Sequence, residues 1–246
     1  MARKKGEKEV RRGAIGVLVF AASALCAWAD PALVALTFDD GTKGNITEVA
    51  PLLKKFGRPA MFNIITDCIG TPGYMTWDDV RELHRQGFEI ASHTLSHPNL
   101  LTLLSKGETN EVRRQIYASR DVITKEVGVA PRFLCHPYLA ARPSVDELIR
   151  EYGMIPMFGI RFNVGGDAMR RGTPDSILDK LDRLANTKAK RRGADLLFHG
   201  TSPTSGGWNP LKGTNDFERI LEELATRERK GEIRVVPYAE FRALYK

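Results

Sequence analysis

Ala32-Leu33-Val34-Ala35-Leu36-Thr37-Phe38-Asp39-Asp40-Gly41 is an apolar run that ends on two adjacent carboxylates and a glycine. Short, apolar and bounded by a turn signal, Ala32 to Thr37 predicts a buried strand. Some fifty residues on, Ser92-His93-Thr94-Leu95-Ser96-His97-Pro98 follows a second such run, Phe88 to Ala91. Taken alone, Asp-Asp-Gly is a turn and two His four apart share a helical face. In order and at equivalent strand ends, the two motifs propose one metal site. A divalent transition metal takes imidazole and carboxylate donors at about 2.0 to 2.2 Å and keeps a position open when it does chemistry. Asp40, His93 and His97 supply that set. Asp39 then lies beside it, a carboxylate placed to take a proton from water.

Working outward, apolar runs continue to alternate with segments of helical period, the pattern of a βα protein. Further strands are predicted at Ala60 to Ile65, Arg132 to Cys135, Met157 to Ile160, Asp195 to Phe198 and Ile233 to Val236. Helices are predicted at Asn45 to Phe56, Glu108 to Val127 and Asn215 to Arg229, with Thr76 and Asp79 as a capping box ahead of Val80 and Leu83. The chemistry-bearing residues follow four different strands: Asp39 and Asp40, His93 and His97, Pro137 and Tyr138, then His199. Barrel enzymes build their sites from several strand ends, whereas open sheets concentrate binding at a switch point. The expected fold is therefore α/β, a single irregular (β/α) barrel.

Residues 1–29 read as an export signal: a basic leader, an apolar stretch from Ala14 to Ala27, and Ala27-Trp28-Ala29 as a small-x-small cleavage site. That leaves residues 30–246 as one catalytic domain, secreted or periplasmic, with no membrane span after cleavage. The leader holds six Lys or Arg against two Glu, so it carries +4 of the chain's +7, and about +3 remains. Such a charge predicts no nucleic-acid partner. Cys68 and Cys135 remain after the leader, a pair that an oxidising compartment would allow to bridge. Oligomeric state leaves no signature.

Of the five His, three fall in the motif positions, while His84 reads as an ordinary surface or half-buried residue. His199 ends the apolar run Asp195 to Phe198, placed to hand a proton to a leaving group while Asp39 takes one from water. Pro137 has no N–H, so Tyr138 carries the first backbone donor after it for a developing oxyanion.

Thr37-Phe38-Asp39-Asp40-Gly41, the His93 to His97 motif, Pro137-Tyr138, Leu197-Phe198-His199 and the carboxy-terminal Ile233 to Phe241 segment resemble the ordered motifs of NodB-type polysaccharide deacetylases, carbohydrate esterase family four. The resemblance implies a NodB-type barrel and metal-dependent removal of N-acetyl or O-acetyl groups from an acetylated glycan. By residue it implies Asp39 as base, Asp40, His93 and His97 as ligands, Tyr138 as backbone oxyanion donor and His199 as acid. The implied metal is zinc first, with cobalt or nickel able to use the same donors.

Two departures stand out. Cys135 occupies the place where many members carry an Arg beside the catalytic carboxylate, with Arg161, His136 or Arg132 as candidate replacements. Met169, in Gly166 to Gly172, stands near the place of a pocket Trp, with Asp167 as the candidate companion acid. These departures keep two alternatives open: hydrolysis of another acylated carbon–nitrogen bond, and a weakly active or inactive glycan-binding envelope protein. Trp77 and Trp208 read as a helix-start packing residue and a loop anchor, ahead of a role as sugar platforms.

Overall fold

The computed structural model describes residues 30–157, 161–163, 174–186, 192–201, 211 and 213–244. Its strands are β1 (Ala32–Phe38), β2 (Met61–Ile64), β3 (Glu89–Ser92), β4 (Phe133–Leu134), β5 (Ile155–Pro156), β6 (Arg161–Asn163), β7 (Gly193–Phe198) and β8 (Ile233–Val235). They pair in parallel in the order β5-β4-β3-β2-β1-β7-β6. β1 is the hub. Its whole length from Leu33 to Phe38 pairs with β7, while its other edge is shared, Ala32 to Val34 with β8 and Thr37 to Phe38 with β2. Splitting one edge between two strands opens the sheet on that side, so the curled sheet is a partial barrel with helices outside it. By backbone contacts, Pro31–Lys246 forms one unit.

Side-chain alternation assigns the two faces of the sheet. Along β1, Ala32, Val34, Leu36 and Phe38 join the outer core beneath the helices, whereas Ala35 joins Met61, Ala91, Phe133, Cys135 and Met157 on the inner face. The outer core includes an aromatic cluster. Phe38 stacks on Phe62 at 5.3 Å and on Phe198 at 5.1 Å, and Phe217 meets Phe38 and Phe198 edge-on. Each such pair adds about 0.5 to 1.5 kcal/mol beyond its buried area. Phe38 and Phe198 immediately precede Asp39 and His199, so the cluster fixes both strand ends.

Helices follow their signals closely. α1 (Ala50–Lys55) extends a π-helical turn, Asn45–Val49, so the helix expected over Asn45 to Phe56 starts wide. α2 (Trp77–Arg85) begins at the expected capping box, with Thr76 Oγ1 accepting from Asp79 N and Asp79 Oδ2 accepting from Thr76 N. Trp77 packs against the outer core, as its helix-start reading requires, and His84 is exposed. After the short α3 (Leu100–Ser105), α4 (Thr109–Val127) is the longest and ends on Gly128 at φ 85°. There follow α5 (Pro143–Glu151), α6 (Pro174–Asn186), α7 (Thr214–Arg229) and α8 (Tyr238–Ala243). α8 closes the inner face with Tyr238 and Phe241, and Glu89 accepts hydrogen bonds from Tyr238 N and Ala239 N.

The strand expected at Met157 to Ile160 falls mostly outside the described residues. Just before it, β5 pairs with β4 over two residues, flanked by the buried Met154 and Met157. β6 was not foreseen. Residues 158–160, with Asp167, Met169 and Trp208, lie outside the described residues.

Candidate functional site

Three strands run one residue past their ends before releasing the chain. Asp39 N donates to Phe198 O, His93 N to Ile64 O and Cys135 N to Ser92 O, each at 2.8 Å. These three positions are therefore held nearly as firmly as the sheet. Asn63 on β2 belongs with them, since 63, like 39, 93, 135 and 199, shares the inward parity of its strand. The backbone then turns sharply. Asp40, Thr94, His97, Tyr138 and Leu139 are the non-glycine residues with positive φ among the described residues, and all lie in the loops after β1, β3 and β4. Left-handed backbone costs such residues about 1 kcal/mol or more each, and its clustering marks a constrained site. Gly41 completes the first turn at φ 77°; a Cβ there would meet Ile69 Cδ1 at 3.2 Å and Ile64 Cδ1 at 3.3 Å.

The turn at Asp40 swings its carboxylate toward the two imidazoles. Asp40 Oδ1 lies 3.6 Å from His93 Nε2 and 3.8 Å from His97 Nε2, and the two Nε2 atoms are 3.1 Å apart. A tetrahedral ion about 2.1 Å from each donor would hold them roughly 3.4 Å apart, which these separations bracket. His93 Nδ1 donates to Cys135 O at 2.9 Å, fixing the tautomer that leaves Nε2 for a ligand. Asp40 Oδ1 is buried with no hydrogen-bond partner, a cost that a cation removes. The residues present thus fit a divalent metal, and Asp40, His93 and His97 would hold it.

Protonation in the metal-free site reflects this crowding. Burial disfavours an imidazolium at His93, but the groups around it, Cys135 first and then Asp39 and Asp40, push its pKa up to about 10. His97 is driven the other way, to about 4, by burial and then by the charge on His93. The direction for the pair is clear: one proton is shared across the two imidazoles and resides on His93.

Asp39 is 3% exposed and faces inward. Asn63 Nδ2 donates to its Oδ1 at 2.5 Å, and Cys135 Sγ lies 3.6 Å from Oδ1 and 3.5 Å from Oδ2. Its Oδ2 is 3.8 Å from His93 Nε2, beside the candidate ligand set. Two of the candidate replacements for the absent Arg are engaged elsewhere. His136 directs Nδ1 to Met157 O and Nε2 to Asp146 Oδ1, and the Arg132 guanidinium sits over the Phe133 ring. Arg161 lies on β6, in register with Asp195 of β7. Cys68 and Cys135 are not joined by a disulfide.

His199 lies beside Asp39 because Phe38 and Phe198 pair in register, and its Nδ1 is buried without a hydrogen-bond partner. Tyr138 stands on the far side, its ring 4.8 Å from that of His97 and 66% exposed. The structure therefore gathers all six predicted site residues around one end of the sheet. Sequence reading missed Asn63 and gave Cys135 too small a place. Inward parity at a strand end is the signal for both.

Known proteins share this fold. The CE4 domain of a multidomain xylanase from the hindgut metagenome of Trinervitermes trinervoides superposes with a TM-score of 0.62 at 19% identity, covering 86% of this chain and 90% of that one. A family 4 acetyl xylan esterase from Clostridium thermocellum, solved in complex with a cobalt ion, gives 0.60 at 22% identity, covering 86% and 91%. In sequence, a peptidoglycan-N-acetylglucosamine deacetylase from Bacillus cereus is 33% identical over 106 residues, 43% of this chain and 36% of that protein. A chitin deacetylase from Colletotrichum lindemuthianum is 31% identical over 111 residues, 45% and 43%. The matches span less than half the length of these curated relatives. The polysaccharide deacetylase family model matches residues 29–157, just over half of the chain, and with the curled parallel sheet this places the protein in the polysaccharide deacetylase family, the NodB-type esterases of family four.

Proposed function

We propose that the protein is a secreted or periplasmic hydrolase, dependent on a divalent metal, that removes acetyl groups from a carbohydrate polymer or oligomer. N-acetyl is the first reading and O-acetyl the second. The observation that carries it is Asp40 Oδ1, buried and without a hydrogen-bond partner, facing His93 Nε2 and His97 Nε2. Family membership supports the reaction class, and the leader at residues 1–29 supports export.

A bound zinc ion, or cobalt or nickel, supplies Lewis acidity at the acetyl carbonyl and makes water easier to deprotonate. Asp39 takes the proton from the attacking water, its carboxylate aimed by Asn63. The Tyr138 backbone N–H steadies the developing oxyanion. His199, on the neighbouring strand end, gives a proton to the departing sugar nitrogen or oxygen. Acetate and a sugar bearing a free amine or hydroxyl leave.

Acetate release from N-acetylglucosamine oligomers and peptidoglycan by the metal-loaded protein is the test. Asp39→Asn should lower kcat by about 10² to 10⁴ while metal content is unchanged. A broad panel of acetylated glycans yielding no acetate would sink the proposal. Cys135 beside the candidate base favours one second reading, a glycan-binding envelope protein with little turnover. Saturable glycan binding with no acetate release would select it.

A further inference from the structure

Cys135 adds a donor that the reaction above does not use. Its Sγ lies 3.5 Å from Asp39 Oδ2, which is itself 3.8 Å from His93 Nε2. Ligating atoms of Asp39, His93 and Cys135 all fall within 4.8 Å of one another, and all three residues are buried. Asn63 Nδ2 donates to Asp39 Oδ1, Cys135 Sγ stands about equally near both carboxylate oxygens, 3.6 Å from Oδ1 and 3.5 Å from Oδ2, and Oδ2 faces the imidazole. Sulfur, nitrogen and oxygen in one dry cluster make a set that prefers thiophilic ions over hard ones. From Asp40, His93 and His97, by contrast, an ion receives only nitrogen and oxygen.

We propose that Asp39, His93 and Cys135 form a second metal set, selective for a soft divalent ion such as cadmium, whose occupation switches hydrolysis off. His93 Nδ1 is committed to Cys135 O, so both sets draw on His93 Nε2 and only one can be filled at a time. Binding replaces the thiol proton, which passes to solvent, and the thiolate and carboxylate together neutralise the dication. Asp39, once a ligand, no longer takes a proton from water. The switch rests on the catalytic reading of Asp39, whereas the site itself does not.

Cadmium titration of the full-length protein, followed by ultraviolet thiolate-to-cadmium absorption, tests the site without any turnover. The band should appear in the wild type and in His97→Ala, which removes a ligand of the first set only, and should vanish in Cys135→Ser with its fold intact by circular dichroism. No band in either, or a band that persists in Cys135→Ser and so belongs to another thiol, overturns the proposal. If acetate release is measurable, Cys135→Ser should also raise the cadmium concentration needed for inhibition about ten- to hundredfold. Should no acetate appear with any metal, the proposed reaction fails while the absorption still decides the site.

Discussion

Asn63 holds Asp39 Oδ1 from the middle of the sheet, and a hydrogen bond to a charged group contributes about 1.5 to 3 kcal/mol. If that bond aims the base, Asn63→Ala should lower kcat at least about tenfold and leave KM and metal content nearly unchanged. Unchanged kcat would reduce Asn63 to a packing residue. The imidazoles give a second expectation, with a definite sign. The metal needs both Nε2 atoms unprotonated, yet in the metal-free pair one proton stays on His93 up to about pH 10, while His97 is already neutral above about 4. Binding between those limits releases one proton, so apparent affinity should fall about tenfold for each unit that the pH is lowered. Competition with a chelator at about pH 6 and about pH 8 measures the slope, and a flat profile would place the proton elsewhere.

At the scale of the element, α2 illustrates a boundary set by a local signal. The Thr76 and Asp79 box satisfies two end groups, and Lys43 Nζ donates to Asp79 Oδ2 at 2.7 Å. Burial raises the Asp79 pKa, but the hydrogen bonds from Lys43 and Thr76 outweigh it and hold it below the ordinary carboxylate value. A carboxyl depressed in the fold stabilises fully above its unfolded pKa and loses that contribution as the pH falls through the folded one. Thr76→Ala should cost about 0.5 to 2 kcal/mol in urea unfolding at neutral pH. Asp79→Asn should destabilise at neutral pH and become neutral in strong acid. Such a capping signal is local, as are the apolar stripes of α4 and α7, which is why these helices were legible from the chain. The second half of the barrel was less so. β4 and β5 have two residues each, too few for any alternation to register, and among the described residues β6 spans just Arg161–Asn163. The site divides likewise. Asp40, His93 and His97 announce themselves by residue type and spacing, whereas Asn63 is ordinary in sequence and acquires a role only when β2 is laid between β1 and β3.

Across the whole unit, the ligand set joins strands that do not touch. Asp40 follows β1, His93 and His97 follow β3, and β2 separates them. The aromatic cluster of Phe38, Phe62, Phe198 and Phe217 holds β1, β2, β7 and α7 together from the outer face, independently of any ion. A metal at this set would therefore clamp loops onto a sheet that is already folded, and its removal should loosen the loops without melting the core. Hydrogen exchange after chelation should rise at residues 39–41, 93–98 and 136–141 and stay unchanged in β1, β2 and β7. The same clamp acts on global stability by mass action. Free metal at about a hundred times its Kd adds about 2.7 kcal/mol, which for a chain of this size corresponds to a rise in Tm of roughly 5 to 10 °C. Asp40→Ala removes the ligand from the β1 side, so the strands lose their bridge and the rise in Tm should disappear. A zinc-induced rise that survives Asp40→Ala would mean the ion is held by a set that does not include Asp40. Cadmium offers the sharper form of this comparison. Its proposed set takes Asp39 from β1 and Cys135 from beyond β4, so cadmium should still stabilise Asp40→Ala when zinc no longer does.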